Sequence, residues 1–232
     1  MKTLALETSA KACSVALMEG DTLLAQTMQN AGFTHSRTLM PMLDALLKGA
    51  GCTIQDVDKI AVAIGPGSFT GLRIGLATAK GLAFAADKPL VGVSSLLAMA
   101  HQAMVFVGSN GDIICPVMDA RRGQVYNALF ESNGTTLIRI EQDRTTAIED
   151  LFTPRAKPYL LVGDGAALCA AWMAERNIPF RILPAHLVQQ SAWGVAMAAR
   201  TLPGKVCHDV NPQYIRPSQA ERERAARLET EA

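Results

Sequence analysis

Features that mark nucleic-acid-binding, membrane and secreted proteins are scarce in this sequence. The 232 residues carry a formal net charge of +1, so no overall electric field attracts the chain to nucleic acid or to an anionic membrane. No run of about 18 apolar residues could span a bilayer, and Met1–Leu4 opens a strand pattern instead of a signal peptide. We therefore expect a cytoplasmic protein that does not contact membranes.

Cysteine and aromatic residues are few. The five cysteines are odd in number and none lies in a C-x-x-C pair, which argues for a reducing compartment and against a disulfide framework or a zinc site. Aromatic residues make up 5% of a sequence that is 49% apolar. The core must therefore consist mainly of Ala, Leu, Val and Ile, so we expect closely packed helices.

Motifs of catalysis are missing as well. The four histidines are never three or four residues apart, which is the spacing that a helical metal site with two histidines needs. Four residues after His35 stands Leu39, and neither H-E-x-x-H nor G-x-S-x-G occurs. We predict no catalytic residue and no metal ligand in this chain.

The first half of the chain shows a regular order of strand and helix patterns. Apolar residues at i, i+3, i+4, i+7 and i+8 mark its first helix, and they are Leu39, Met42, Leu43, Leu46 and Leu47. The predicted strands are Thr3–Leu6, Cys13–Met18, Thr22–Met28, Lys59–Ile64 and Leu90–Val93, and the predicted helices are His35–Gly49, Thr70–Ala86 and one that Ser94 or Ser95 caps and that ends near Val107.

The second half repeats this order. Its predicted strands are Ile113–Met118, Gln124–Phe130, Leu137–Ile140, Tyr159–Val162 and Phe180–Leu183, with a hairpin at Asn133-Gly134. Its predicted helices are a short one at Ala147–Phe152, then Ala166–Arg176 and Val188–Thr201. A duplicated βββαβαβα unit predicts the α/β architecture of actin-like proteins, sugar kinases and the Hsp70 ATPase domain. We place the domains at 1–108 and 109–217, with an extended stretch near Asn211–Pro217 and a charged, disordered tail at 218–232.

A glycine-rich turn, Gly65-Pro66-Gly67-Ser68-Phe69-Thr70-Gly71, joins the fourth strand to the second helix. It is not a P-loop, because no Gly-Lys-Ser/Thr follows, and its spacing does not fit the dinucleotide fingerprint. Pro66 also removes one N–H that could bind an anion. Three interpretations stay open: a tight turn, an anion site within this chain, or part of a site shared with a partner.

The helix after this turn carries a stripe of small residues at Gly71, Gly75, Ala79 and Ala83. Such a stripe lets another backbone approach closely. Because larger apolar residues lie around its other sides, we expect the helix to be buried on both sides. We therefore predict an interface with a helix of another subunit, and that Gly75→Leu abolishes this association while the monomer stays folded.

Two polar turns occupy matching positions in the halves, Glu7-Thr8-Ser9 and Asp119-Ala120-Arg121. In ATP-using proteins of this architecture these turns hold phosphates and Mg²⁺ and usually carry Asp and Gly. Here the first turn has Glu7 and no glycine, so a complete ATP site is not expected. Arg121 and Arg122 are better suited to pair with a phosphate or an acidic partner than to hold a metal.

Several segments resemble the TsaB (YeaZ) family. They are Met1–Met18, His35-Ser36-Arg37 with Leu39–Leu43, the run GPGSFTGLRIG at Gly65–Gly75, Gly92–Leu96, Asp119-Ala120-Arg121 with Val125-Tyr126, and Pro212-x-Tyr214-x-Arg216. The resemblance implies a two-domain actin-like fold and a role in the threonylcarbamoyl modification of adenosine in ANN-decoding tRNAs. It also implies a subunit that is not the transferase but pairs with the catalytic paralogue TsaD, with the small ATPase TsaE joining the pair.

In this family the subunit interface is built from the first two helices, and the resemblance implies the same here. The predicted interface residues are His35, Leu39, Met42, Leu43, Leu46, Thr70, Gly71, Ile74, Gly75, Thr78, Ala79 and Leu82. The residues predicted for the turns, or for a nucleotide site shared with a partner, are Glu7, Thr8, Gly65, Gly67, Ser68, Arg73, Asp119 and Arg121.

The resemblance assigns no cofactor to this chain, since ATP or ADP and a metal are expected on the partner subunits. We expect the chain alone to form a homodimer through the same helices, because an exposed apolar face promotes association. Contact with tRNA is expected only through the complex. The alternative is an enzyme in its own right, an actin-like ATP-dependent small-molecule kinase or phosphotransferase.

Overall fold

The computed structural model describes residues 1–107, 111–132, 136–153 and 157–216. The first half begins with β1 (Lys2–Glu7), β2 (Cys13–Glu19), β3 (Thr22–Gln29) and α1 (His35–Gly49), followed by β4 (Lys59–Gly65), α2 (Phe69–Ala86), β5 (Leu90–Ser94) and α3 (Ser95–Met104). Its strands form one sheet in the order β3-β2-β1-β4-β5, in which β1, β4 and β5 run parallel and β2 and β3 complete an antiparallel meander.

The second half has the same plan. It contains β6 (Ile113–Arg121), β7 (Gln124–Ser132), β8 (Leu137–Ala147), β9 (Tyr159–Val162), α4 (Ala166–Ala174), β10 (Phe180–Ile182) and α5 (Ala192–Ala198). The sheet order is β10-β9-β6-β7-β8, with β6, β9 and β10 parallel. The predicted element order is therefore confirmed in both halves except at one position.

The exception is the short helix predicted at Ala147–Phe152. Strand β8 continues to Ala147 and a single 3-10 turn, Ile148–Asp150, follows it. This single turn already buries Ile148, Leu151 and Phe152 in the core. A helix of greater length is therefore not required to cover these residues.

The last helix is also shorter than predicted. It begins at Ala192 instead of near Val188, because the Ser191 hydroxyl caps it by accepting a hydrogen bond from the Gly194 N–H at 3.4 Å. The Val188 carbonyl accepts instead from the Gly163 N–H at 2.7 Å. The Asn133-Gly134 hairpin, the tail at 218–232 and Pro217 lie outside the described residues.

Helices α1 and α2 cover one face of the first sheet. The apolar stripe of α1, formed by Leu39, Met42, Leu43 and Leu46, is buried there with Leu76, Ala79 and Ala83 of α2 and the strand residues Leu6, Val15 and Val62. Their outer sides face away from the sheet. The two helices thus form an outer layer whose second side is left exposed by the part of the chain that the structure describes.

Helices α3 and α5 form a middle layer between the two sheets, and each packs on the sheet of the other half. Ala192, Val195 and Ala196 of α5 pack against the inner face of the first sheet. Leu96 and Met99 of α3 pack against the second sheet, whose outer face is covered by α4. Because each sheet takes a helix from the other half, the two halves share one interior.

The resulting layers, helix, sheet, helix, sheet and helix, are those of the predicted two-domain actin-like α/β fold. The domain bounds at 108 and 217 remain a prediction, because both fall at the edge of the described residues. Within those residues, no helix combines the length and apolarity that crossing a membrane requires.

Candidate functional site

A cleft of about 1030 Å³ opens where β1, β4 and β6 end. In α/β sheets, ligands bind outside the carboxyl ends of the parallel strands. The β1–β2 turn, the β4–α2 turn, the first turn of α1 and the β6–β7 turn contribute walls. The lining includes Ser9, Lys11, Phe33, His35, Gly67, Ser68, Thr70, Asp119, Arg121, Tyr126, Asp164, Tyr214 and Arg216.

Three buried polar atoms at this cleft have no hydrogen-bond partner among the described residues. They are Glu7 Oε2, Ser9 Oγ and His35 Nδ1. The other ring nitrogen of His35 lies 2.8 Å from the Ala10 carbonyl. Because a buried unpaired polar group costs about 1–3 kcal/mol, the floor of this cleft is typical of a site and not of a packed core.

The glycine-rich turn is pressed against the β1–β2 turn. Gly67 has a φ of 155°, and a Cβ there would lie 2.3 Å from the Ser9 carbonyl oxygen. Gly65 has a φ of 121°, and a Cβ there would lie 2.4 Å from the Gln213 carbonyl oxygen. No side chain fits at either position, so both glycines support the tight-turn interpretation.

Two hydrogen-bond donors of this turn are used within the chain. The Ser68 N–H donates to the Ser9 carbonyl at 2.6 Å, and the Gly71 N–H donates to the Ser68 hydroxyl at 3.2 Å. Pro66 has no N–H to offer. The turn therefore has fewer N–H groups left for a phosphate than its glycines suggest. The described residues hold no cluster of His, Cys, Asp and Glu able to bind a metal.

The small-residue stripe of α2 requires a correction. A Cβ at Gly71 would lie 2.1 Å from the Thr8 carbonyl oxygen, and one at Gly75 would lie 2.1 Å from Thr8 Oγ1. The Thr8 hydroxyl also donates to the Gly71 carbonyl at 2.9 Å. The space that was assigned to a helix of another subunit is thus filled by this chain's own Thr8, while Ala79 and Ala83 lie in its core.

A second small-residue stripe faces outward. Ala77, Gly81 and Ala85 are exposed and share the four-residue spacing of the first stripe, and a Cβ at Gly81 would meet nothing within 4 Å. Phe84 is 82% exposed on the same side. Among the described residues, helix α2 is therefore buried on one side only, and its outer face is exposed.

The glycines of α2 predict opposite effects of the same substitution. Gly71→Ala should lower the free energy of unfolding by about 3 kcal/mol or more, because the Thr8 backbone would have to move. Gly81→Ala should raise it by about 0.5–1 kcal/mol, because alanine favours a helix interior and the space is open. Urea denaturation measures both. Equal stability of the two variants would contradict this account, as would a folded Gly75→Leu monomer.

Glu7 ends β1 and is fully buried beneath the cleft. Its Oε1 accepts a hydrogen bond from the Ser9 N–H at 2.6 Å. Burial nevertheless raises the pKa of Glu7 from 4.5 to about 7, and the nearby Asp164 carboxyl adds to the rise. Near neutral pH, Glu7 therefore holds a proton in a substantial part of the folded molecules.

This shift predicts that the protein loses stability as the pH rises from about 4.5 to 7. In that window the folded state keeps the Glu7 proton and the unfolded state releases it, so the free energy of unfolding falls by up to about 3 kcal/mol. Glu7→Gln, whose amide oxygen can still accept from Ser9, should be more stable than the wild type at pH 8 and similar at pH 5. Thermal unfolding at both pH values tests this, with the exposed Glu19→Gln as the control that should change neither.

Asp164 is a cleft residue that the sequence analysis did not single out. It follows β9 in a Gly163-Asp164-Gly165 turn, and the Gln190 side chain donates to its carboxylate at 3.0 Å. Burial raises its pKa. Gly163 has a φ of 109°, and a Cβ there would lie 2.1 Å from the Val117 carbonyl oxygen. In both halves a glycine that follows a parallel strand thus approaches a backbone carbonyl near the cleft, so the internal duplication is the signal that could have found Asp164.

The β6–β7 turn carries two arginines in the left-handed region, Arg121 with φ 65° and Arg122 with φ 57°. The Arg121 N–H donates to the Asp119 carboxylate at 2.7 Å. Both side chains are exposed, and Arg121 lines the cleft. Their part in a nucleotide site shared with a partner remains a prediction.

Residues 211–216 cross the mouth of the cleft as a strap. The Gln213 N–H donates to the Ile64 carbonyl at 2.7 Å, which joins the strap to the end of β4. The Tyr214 ring stacks on Phe69 with centroids 4.2 Å apart, and Arg216 donates to the Ala120 carbonyl at 3.0 Å. The sequence predicted only that this stretch is extended; the strap connects the start of α2 with the β6–β7 turn.

The residues predicted for a subunit interface differ in exposure. Leu39, Met42, Leu43, Leu46, Gly71, Gly75 and Ala79 are buried in this chain, His35, Ile74, Thr78 and Leu82 are half-buried, and Thr70 is exposed. Arg73, predicted for the turn region, is exposed one turn into α2.

The sequence and the fold of this chain are similar to those of known proteins. A TsaB protein of Bacillus subtilis (strain 168), a tRNA threonylcarbamoyladenosine biosynthesis protein, is 36% identical over 171 residues, which are 72% of this chain and 73% of that protein. The chain belongs to the TsaB (YeaZ) family. A crystal structure from Pseudomonas aeruginosa, described as similar to the peptidase YEAZ, superposes with a TM-score of 0.76 at 29% identity, covering 93% of this chain and 99% of that one.

Two further similarities concern relatives of TsaB. The model of the TsaD family, described as tRNA N6-adenosine threonylcarbamoyltransferase, matches residues 29–223, so this chain also belongs to the family that the model describes. The activator of 2-hydroxyisocaproyl-CoA dehydratase from Clostridium difficile has a TM-score of 0.50 at 13% identity, which shows a shared fold alone. The role of this chain therefore lies in tRNA threonylcarbamoyladenosine biosynthesis.

Proposed function

We propose that this chain is a non-catalytic subunit required for threonylcarbamoyl modification of adenosine in ANN-decoding tRNAs. It acts in the cytoplasm as a scaffold and activator of the catalytic paralogue TsaD, together with the ATPase TsaE, and meets tRNA only through the complex. ATP or ADP and a metal belong to the partner subunits. Alone, the chain forms a homodimer through the face that TsaD occupies in the complex.

The observation that carries this proposal is the outer face of α1 and α2. We call it the docking face and define it by the exposed residues Met40, Pro41, Ala77, Gly81 and Phe84. Phe84 is 82% exposed and Met40 is 50% exposed. Exposed apolar side chains beside a stripe of small residues allow another helix to approach closely and to bury them.

The docking face also revises the predicted interface. The α1 stripe at Leu39, Met42, Leu43 and Leu46 lies in this chain's own core, so a partner meets the outer residues Met40 and Pro41 instead. The half-buried Ile74, Thr78 and Leu82 lie at the edge of the docking face. They remain part of the proposed interface, with Thr70 at its end.

The alternative of an ATP-dependent kinase is weaker. In ATP-using proteins of this architecture the phosphates are held by the turns that correspond to β1–β2 and β6–β7, and here the β1–β2 turn contains no glycine. Glu7, which occupies the place of a metal-binding Asp, is fully buried. These features support a cleft that takes no part in phosphoryl transfer.

Phe84→Asp should weaken binding to the catalytic subunit by at least roughly 10-fold, because it places a charge where apolar surface becomes buried. The fold should be unaffected, since the Phe84 side chain is 82% exposed. Ile138→Asp is the matched control, because Ile138 is 61% exposed on β8, away from the docking face. Calorimetric titration measures both. An unchanged affinity of Phe84→Asp would contradict the proposed interface.

The function itself is tested by reconstitution. The organism's own TsaD and TsaE, given tRNA, ATP and an activated donor of the threonylcarbamoyl group, should make threonylcarbamoyladenosine efficiently only when this chain is added. Mass spectrometry of digested tRNA detects the product. Full modification without this chain would refute the activator role. Product formed by this chain without TsaD would show that it is the enzyme.

A further inference from the structure

Arg73 is held in one position by two aromatic residues. Its guanidinium carbon lies 4.1 Å from the centroid of the Phe69 ring, and its Nε donates a hydrogen bond to the Tyr214 hydroxyl at 3.2 Å. The Tyr214 ring stacks on the same Phe69 ring at 4.2 Å. Stacking and the Nε bond fix the plane of the guanidinium, which is otherwise a flexible group.

The strap in turn fixes Tyr214. The residue before it donates from the Gln213 N–H to the Ile64 carbonyl at 2.7 Å, and the Gln213 carbonyl lies so close to Gly65 that a Cβ there would be 2.4 Å away. Two residues after Tyr214, Arg216 donates to the Ala120 carbonyl at 3.0 Å. Tyr214 is therefore anchored on both sides, which makes it a rigid support for Arg73.

The rest of the guanidinium is uncommitted. Among the described residues no carboxylate pairs with Arg73, and neither of its Nη groups has an acceptor there. The side chain is exposed. It lies four residues before Ala77 and eight before Gly81, so it shares their side of α2 and stands at one end of the docking face.

We propose that Arg73 binds a carboxylate of the protein partner that covers the docking face, and that Tyr214 is the positioning residue for this contact. This inference rests on the proposed function. A fixed guanidinium matches a carboxylate through two parallel N–H···O bonds. A carboxylate is favoured over an RNA phosphate because the same side of α2 continues with the exposed residues Ala77 and Gly81, which suit a protein surface. The net charge of the chain is also only +1.

The experiment measures binding of the full chain to the organism's own TsaD. Arg73→Gln should raise the Kd roughly 10- to 100-fold, and Arg73→Lys should recover only part of this loss, because an ammonium lacks the planar pair of donors. Tyr214→Phe removes only the hydroxyl and should raise the Kd several-fold. Arg176→Gln is the matched control: Arg176 also stacks on a ring, at 4.1 Å from that of Trp172, but next to α4, and its loss should leave the Kd unchanged.

The double variant separates positioning from structural support. In the Arg73→Gln background, Tyr214→Phe should have no further effect, because Tyr214 acts through Arg73. Additive losses would overturn the positioning role, and an unchanged Kd for a folded Arg73→Gln chain would overturn the whole inference. If the variant weakened only the binding of tRNA to the complex and left the affinity for TsaD intact, Arg73 would bind an RNA phosphate and not a carboxylate. That result would also overturn the inference. If the wild-type chain does not bind TsaD, the proposed function fails and this inference with it.

Discussion

The contact between two turns, β1–β2 and β4–α2, is the constraint on which the rest of the site depends. Backbone meets backbone there: Gly67 and Gly71 lie against the carbonyls of Ser9 and Thr8 at distances that leave no room for a Cβ. This contact fixes the start of α2 beside the end of β1. It closes the turn around its own hydrogen bonds, and it sets the position of the buried Glu7 beneath it.

The same contact determines which surface of α2 is available. A helix with small residues on two sides can approach another backbone on either side. Because Thr8 fills the space at Gly71 and Gly75, the stripe that faces the sheet packs against the chain's own β1–β2 turn. The outer stripe at Ala77 and Gly81 stays exposed among the described residues. A turn that resembles a ligand cradle thereby serves to orient a helix whose opposite side is suited to a partner.

Sequence patterns over a few residues predicted most of the fold. They could not predict the contacts between segments that are distant in the sequence. The bounds of α1 and β9 were predicted as His35–Gly49 and Tyr159–Val162, and the structure has the same bounds, because periodicity and flanking glycines are read over a few residues. The inner and outer stripes of α2 have the same spacing, so periodicity could not decide which of them faces Thr8. Asp164 and the strap become site residues only when strands from both halves end at one cleft.

The exchange of α3 and α5 between the two sheets affects how the chain can be synthesised. The inner face of the first sheet, with Ala5, Ala16 and Val93, is covered by α5, which begins only at Ala192. All strands of that sheet have left the ribosome about 100 residues earlier, a delay on the order of ten seconds at ordinary rates of translation. During this time the nascent sheet lacks its cover of α5, and exposed apolar surface of this kind favours aggregation until the second half has been made.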